Sequence, residues 1–163
     1  MAITLFSDGR IEKNGTNLLG GTPSFSAYTS SAYDIASDTY VKALFQSEHF
    51  DSDGAYDTST STFTVPSGKD GKYQVNAGVS VDDVNDGHYV TISLYIDGAQ
   101  ATGFQRPFVW SPSNDKIVTA RMSNVISLNA GQTVNIYVLH TSTGTQSSEN
   151  YCNYFSMFRI GGV

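Results

Sequence analysis

The residues of this 163-residue chain that could do chemistry are mostly carboxylates, and they crowd into two places: Asp51-Ser52-Asp53-Gly54 with Asp57, and Asp82-Asp83 with Asp86 in the run VDDVNDG. Oxygen-rich loops of this kind suit calcium. The first group lacks the third oxygen ligand that a helix–loop–helix calcium loop places before its glycine, and its twelfth place holds Thr62 where a bidentate Glu is needed. Asp82, Asp83 and Asp86 remain the candidate metal ligands, because one loop can gather all three. Asp-Gly and Asn-Asp are also ordinary turn chemistry, and a solvated turn is the simpler reading.

His49, His88 and His140 have no i, i+4 partner and no neighbouring Cys, so the usual spacing of a zinc site is missing. A chain this rich in Ser offers serine-histidine-acid sets by chance alone, but G-x-S-x-G does not occur, nor do a P-loop or G-x-G-x-x-G. No catalytic residue is assigned and no enzyme is expected. Cys152, the one cysteine, has no intrachain disulfide partner and is expected to be a small buried hydrophobe. Trp110, in PFVWSPSND between two prolines, is expected on a loop at a sheet's end. Exposed there, it would be the candidate ligand-binding residue for sugar or protein; a core position would serve it equally well.

The elements that must position these residues are strands. Charged residues make up only 15%, aromatic residues reach 12%, and Asp outnumbers Glu twelve to three, a composition that suits pleats and turns and disfavours helices. Residues 71 to 82 alternate, with Tyr73, Val75, Ala77, Val79 and Val81 on one side and Lys72, Gln74, Asn76, Ser80 and Asp82 on the other. Val90, Ile92, Leu94 and Ile96 alternate likewise and stop at Asp97-Gly98, a hairpin signal. A further strand ends at Leu128, another carries Val134, Ile136 and Val138, and the last runs from Tyr151 to Ile160. Tyr40 to Phe50 could form a short helix, but without caps it reads better as strand. Short strands with turns about every ten residues predict an antiparallel sandwich or jelly roll.

The net charge of -6 and a pI near 4.7 argue against nucleic acid, whose binding needs clustered Lys and Arg. The basic residues are scattered and there is no run of 18 apolar residues, so neither membrane docking nor insertion is expected. The start, MAITLFSDGR, lacks the features of a secretion signal, which predicts synthesis in a cytoplasm. Residues 1 to 22 read as a short arm whose Ile3, Leu5, Phe6 and Ile11 would pack on a neighbour or an anchoring surface, and residues 23 to 163 as one domain.

Phe45, Asp51, Tyr56 and Phe63, followed by Gly71 and Tyr73, stand at the spacings of the C1q-like globular domain, the jelly roll that complement C1q heads share with the tumour necrosis factor superfamily. The end of that motif is degraded: Val75 and Ala77 replace its aromatic residues, and Gly71 comes two residues late. The resemblance extends from residue 23 to 161 through PSFSA, Pro66, LNAGQTV and the closing FSMFRI, in which Met157 stands for Gly and Phe155 and Phe158 for the motif's two Phe. It implies an all-β jelly roll of ten strands, with these residues in or near the core, and a homotrimer around a threefold axis. Some members hold calcium near that axis, which keeps calcium at the Asp82 loop as the one ligand to test; no other cofactor is expected. The collagen stalk of complement-type members is missing. By analogy of fold and context, the chain is similar to a phage virion surface protein, made in host cytoplasm: a capsid decoration, head fibre or tail-fibre tip attached to capsid or tail through its arm. The alternative is a carbohydrate- or receptor-binding module that meets host glycans through loops at Trp110 and Asp82 to Asp86.

Overall fold

The computed structural model describes residues 3–5, 11–13, 16–17, 22–104, 106–114, 116–150 and 152–162. Every assigned element among them is a strand. The arm forms a small antiparallel sheet of its own, β1 (Ile3–Leu5), β2 (Ile11–Lys13) and β3 (Thr16–Asn17), in that order. Its strands pair with one another and are not part of either large sheet.

Two antiparallel sheets make the sandwich. The first is ordered β14 (Lys116–Leu128), β10 (Gly71–Val84), β17 (Tyr154–Gly161), β4 (Ser24–Tyr28) and β7 (Ser47–Asp51). The second is ordered β12 (Ala99–Gln100), β11 (Tyr89–Ile96), β15 (Thr133–His140), β9 (Thr62–Thr64) and β8 (Tyr56–Asp57); β13 (Phe108–Trp110) joins β11, and β6 (Val41–Lys42) joins β15. A ribbon of β5 (Asp34–Ile35) and β16 (Gln146–Ser147) lies beside them. The long strands β10, β11, β14, β15 and β17 fall alternately in the first and second sheet, so the chain crosses the sandwich at each step. That alternation makes a jelly roll, the architecture expected from the alternating apolar pattern. Residues 40 to 50 supply β6 and part of β7 and no helix, whereas the last strand runs Tyr154–Gly161, and Tyr151, expected to open it, lies outside the described residues.

Widely spaced aromatic residues meet between the sheets. Phe25 of β4 stacks on Tyr56 of β8 at 4.4 Å and on Phe63 of β9 at 5.2 Å, and it meets Phe155 of β17 edge-on at 4.9 Å. Phe45 lies 5.6 Å from Phe155, and Tyr73 of β10 lies 5.7 Å from Phe63. Each ring is buried, and burial of such a side chain contributes roughly 1.5–3 kcal/mol. The two phenols are satisfied inside, Tyr56 donating to Phe45 O at 2.9 Å and Tyr73 to Lys69 O at 2.6 Å. Asp51 serves this core as a turn brace: its carboxylate accepts from Tyr56 N at 2.7 Å and from Asp53 N at 3.2 Å.

The Asp97-Gly98 hairpin forms as expected, with φ of +51° and +77° at its two central residues, which only a primed turn demands. Asp97 also braces the neighbouring strand, accepting from Thr133 N and from Gln132 Nε2, both at 2.8 Å. These bonds, the Thr133 amide first, hold its carboxyl below the usual carboxylate range. A depressed folded value contributes stability above the unfolded pKa of about 3.9, which is lost as pH falls through the folded value. Below about pH 4 the urea midpoint of Asp97→Asn should therefore fall less steeply than that of the parent. Parallel acid limbs would show that this brace does not stabilise the fold.

Candidate functional site

Two exposed faces carry groups that could bind. The first is the outer side of the five-stranded sheet. Side chains alternate across a pleat, so Phe155 and Met157 point inward while Phe158 and Ile160 point out and are 44% and 50% exposed. This corrects the expectation that Phe158 is a core residue: it lies an odd number of residues from Phe155 and so takes the opposite face. Across the register Phe158 and Val125 flank Gln74, and Phe50 of the edge strand β7 stands on the same side, opposite Ser26. Val125 and Phe50 are likewise exposed. Between these apolar residues runs a polar row in which Gln74 Nε2 donates to Ser123 Oγ at 2.8 Å and Ser123 Oγ to Asn76 Oδ1 at 2.9 Å.

Toward one end the face closes over itself. The Tyr154 ring lies across Gly78, where a Cβ would come within 2.5 Å of it, so the glycine makes the space for the ring. Ser80, expected on the solvent side, is buried because Asn153 Oδ1 accepts from its amide at 2.6 Å and Thr119 bonds its hydroxyl at 2.8 Å. Tyr28 and His49 stack at 4.6 Å, and with Tyr154, Asn150, Asn153 and Cys152 they line a recess of about 410 Å³. Cys152 is partly exposed there, which corrects the expectation of a buried thiol.

The second face surrounds Trp110. This residue is on the edge strand β13, not on a loop, and is 61% exposed. Tyr89 holds it edge-on at 5.0 Å and holds Phe108 in the same way at 5.2 Å. The Arg106 guanidinium sits 5.1 Å from the Phe108 ring centre, a cation–π contact. The sequence reading missed Arg106 and Phe108; for Phe108 the signal was its place two residues from Trp110, since residues two apart on a strand share a face, whereas Arg106 precedes the strand and gave no such signal. The β13 end is tied to the Asp82–His88 loop: Ser111 N donates to His88 O at 2.7 Å, Ser111 Oγ to Val84 O at 3.0 Å, and Asp86 N to Asn114 Oδ1 at 2.9 Å. Trp110 and the aspartate loop therefore belong to one surface.

The three aspartates themselves do not assemble. β10 bulges between Val81 and Val84, Asp83 takes a left-handed φ of +52°, and its amide donates to Asp82 Oδ1 at 2.9 Å. Asp86 lies beyond the bulge in the turn closed by His88 N and Asn85 O. Among the described residues no three His, Cys, Asp or Glu side chains group so as to hold a metal ion. Within one subunit the Asp82 carboxylate braces the bulge, while Asp83 and Asp86 bond into the loop through their backbone amides. The three histidines are also dispersed, with His49 on Tyr28, His88 Nδ1 3.3 Å from Thr141 Oγ1, and His140 buried, its Nε2 donating to Ile35 O at 2.8 Å. Of the arm residues, Ile3 is 65% exposed, Leu5 and Ile11 fall within β1 and β2, and Phe6 lies outside the described residues.

No family sequence model matches the chain, and no curated protein does. Solved structures do. The globular domain of zebrafish complement 1qA superimposes with a TM-score of 0.59 at 16% identity, covering 86% of this chain and 99% of that one. Murine APRIL at pH 5.0 gives 0.60 at 13% identity, covering 86% and 100%, and Eiger TNF from S. frugiperda gives 0.56 at 15%, covering 87% and 93%. At such identities the likeness is one of fold: the chain carries a C1q/tumour necrosis factor-like jelly roll.

Proposed function

We propose that the chain is a non-catalytic, homotrimeric virion surface protein, a capsid decoration or fibre tip held to capsid or tail by its amino-terminal arm. The observation that carries the trimer is the exposed set of Phe158, Val125, Ile160 and Phe50 on one sheet face, since grouped apolar residues of this size gain by covering one another. The arm's separate sheet, with Ile3 exposed, supports attachment through that segment. Light scattering on three chains tests the assembly: the full chain and residues 23–163 should each show three times their monomer mass, 17.6 kDa for the full chain, and Phe158→Asp should show the monomer mass. A monomeric full chain would sink the proposal. So would normal particle attachment by the 23–163 chain, as far as the arm is concerned.

The Tyr89, Phe108 and Trp110 cluster favours a second reading, a carbohydrate- or receptor-binding module that uses the surface shared by Trp110 and the Asp82–Asp86 loop. Rigid exposed rings of this kind are what recognition surfaces use. Saccharide binding on a glycan array, lost in Trp110→Ala, would favour it.

A further inference from the structure

Next to Phe108 the loop after β12 folds into a second recess of about 410 Å³, lined by Gln100, Ala101, Thr102, Gly103, Phe104, Arg106 and Phe108. Its size is in the range usual for small-ligand sites. Arg106 is the charged residue among those lining it, and among the described residues it has no carboxylate partner. The whole chain carries a net charge of -6, so a guanidinium that none of the described carboxylates pairs supplies positive charge in a largely acidic chain. The Phe108 ring packs against that guanidinium, a contact that limits the entropy lost when it pairs.

We propose that this recess binds the carboxylate-bearing sugar of an acidic oligosaccharide, such as a uronic acid. The inference rests on the recognition reading and names the ligand class. Arg106 offers the paired N–H donors that fit a carboxylate, and Phe104, Phe108 and Trp110, all exposed, offer flat faces for the C–H side of sugar rings. Gln100, whose Nε2 already donates to Ser93 Oγ at 2.9 Å and is thereby held in place, and Thr102 supply short polar arms for hydroxyls. The run from the recess across Phe108 to Trp110, the two residues both packed on Tyr89, extends the platform beyond one ring. An acidic peptide would use the guanidinium but has little need of three flat exposed rings.

Calorimetric titration of the full chain with trigalacturonate and with its fully methyl-esterified form isolates the charge, since both carry the same rings. The acid should bind at least about tenfold tighter than the ester, and Arg106→Gln should remove that difference while leaving ester binding unchanged. Phe108→Ala should weaken both. Arg106 is exposed, so the urea midpoint of its variant should match the parent and exclude misfolding. Equal affinity for acid and ester, insensitive to Arg106→Gln, would overturn the anionic ligand while leaving a saccharide module standing. Binding of neither at millimolar concentration would overturn it as well, and binding of a hexaglutamate peptide in their place would assign the recess to an acidic protein partner. Loss of the trimer mass in Phe108→Ala would make the recess a subunit contact and also overturn it.

Discussion

Phe155→Ala is expected to lower folding stability by about 3–5 kcal/mol, while Phe158→Ala, three residues along the same strand, should change the stability of the isolated subunit by less than about 1 kcal/mol. Phe155 is on β17, the middle strand of the first sheet, and its ring touches Phe25 edge-on at 4.9 Å, Phe45 at 5.6 Å and Tyr56 at 6.0 Å. Those partners come from strands of both sheets and from the chain before β7, so removal of one ring leaves a hole that no single element can move to fill. Phe158 has no such hole to leave, because its ring faces outward. Urea unfolding at a protein concentration where light scattering shows the monomer checks both variants, with the midpoint reporting stability and an unchanged slope confirming that the same fold is lost. A cost below about 1 kcal/mol for Phe155→Ala would mean that the ring cluster is not the centre of the core.

Gly71→Ala should be nearly as damaging, for a backbone reason. A Cβ at this position would meet Gly161 O at 2.1 Å and the Arg159 Nε at 3.0 Å, and Gly71 sits at a φ of +152° that L side chains rarely adopt. It opens β10 where the pairing with β17 shifts register between Lys72 and Tyr73, and Arg159 locks the same corner by donating two bonds to Asp70 O, at 2.6 Å and 3.1 Å. The alanine methyl has to push the end of β17 away and break that corner, so a loss above about 2 kcal/mol is expected from strain and lost pairing together. Gly54→Ala is the control. It shares a positive φ, +61°, but has open space around its Cβ, and should cost only the left-handed penalty of about 1–2 kcal/mol. Equal losses for the two variants would show that strand approach at Gly71 is not the constraint.

Much of the architecture was legible in the amino-acid sequence because its signals are local. The run from Tyr73 to Val81 alternates with the pleat and does bury that face, and Asp97-Gly98 makes the primed turn for which its residue types are suited. Phe45, Asp51, Tyr56, Phe63, Gly71 and Tyr73 resemble a family pattern, and each has a physical task in this fold: rings for the gap between sheets, a carboxylate for a turn, a glycine for a close strand. What a residue meets on the far side of its strand is set by chain segments tens of residues away, and no local pattern reports that. So Phe158 faces outward, Ser80 is covered by Asn153 from the closing segment, and Gly78 yields its space to Tyr154. The same non-locality governs the candidate sites. Asp82, Asp83 and Asp86 are neighbours in sequence, but a bulge and a turn disperse them, while Tyr89, Arg106, Phe108 and Trp110, from two strands and a loop, come to share one surface because β13 pairs with β11. Composition and alternation therefore determined that this chain forms an aromatic-filled β sandwich, and cross-strand register, which depends on the whole fold, determined which of its residues are left outside to bind.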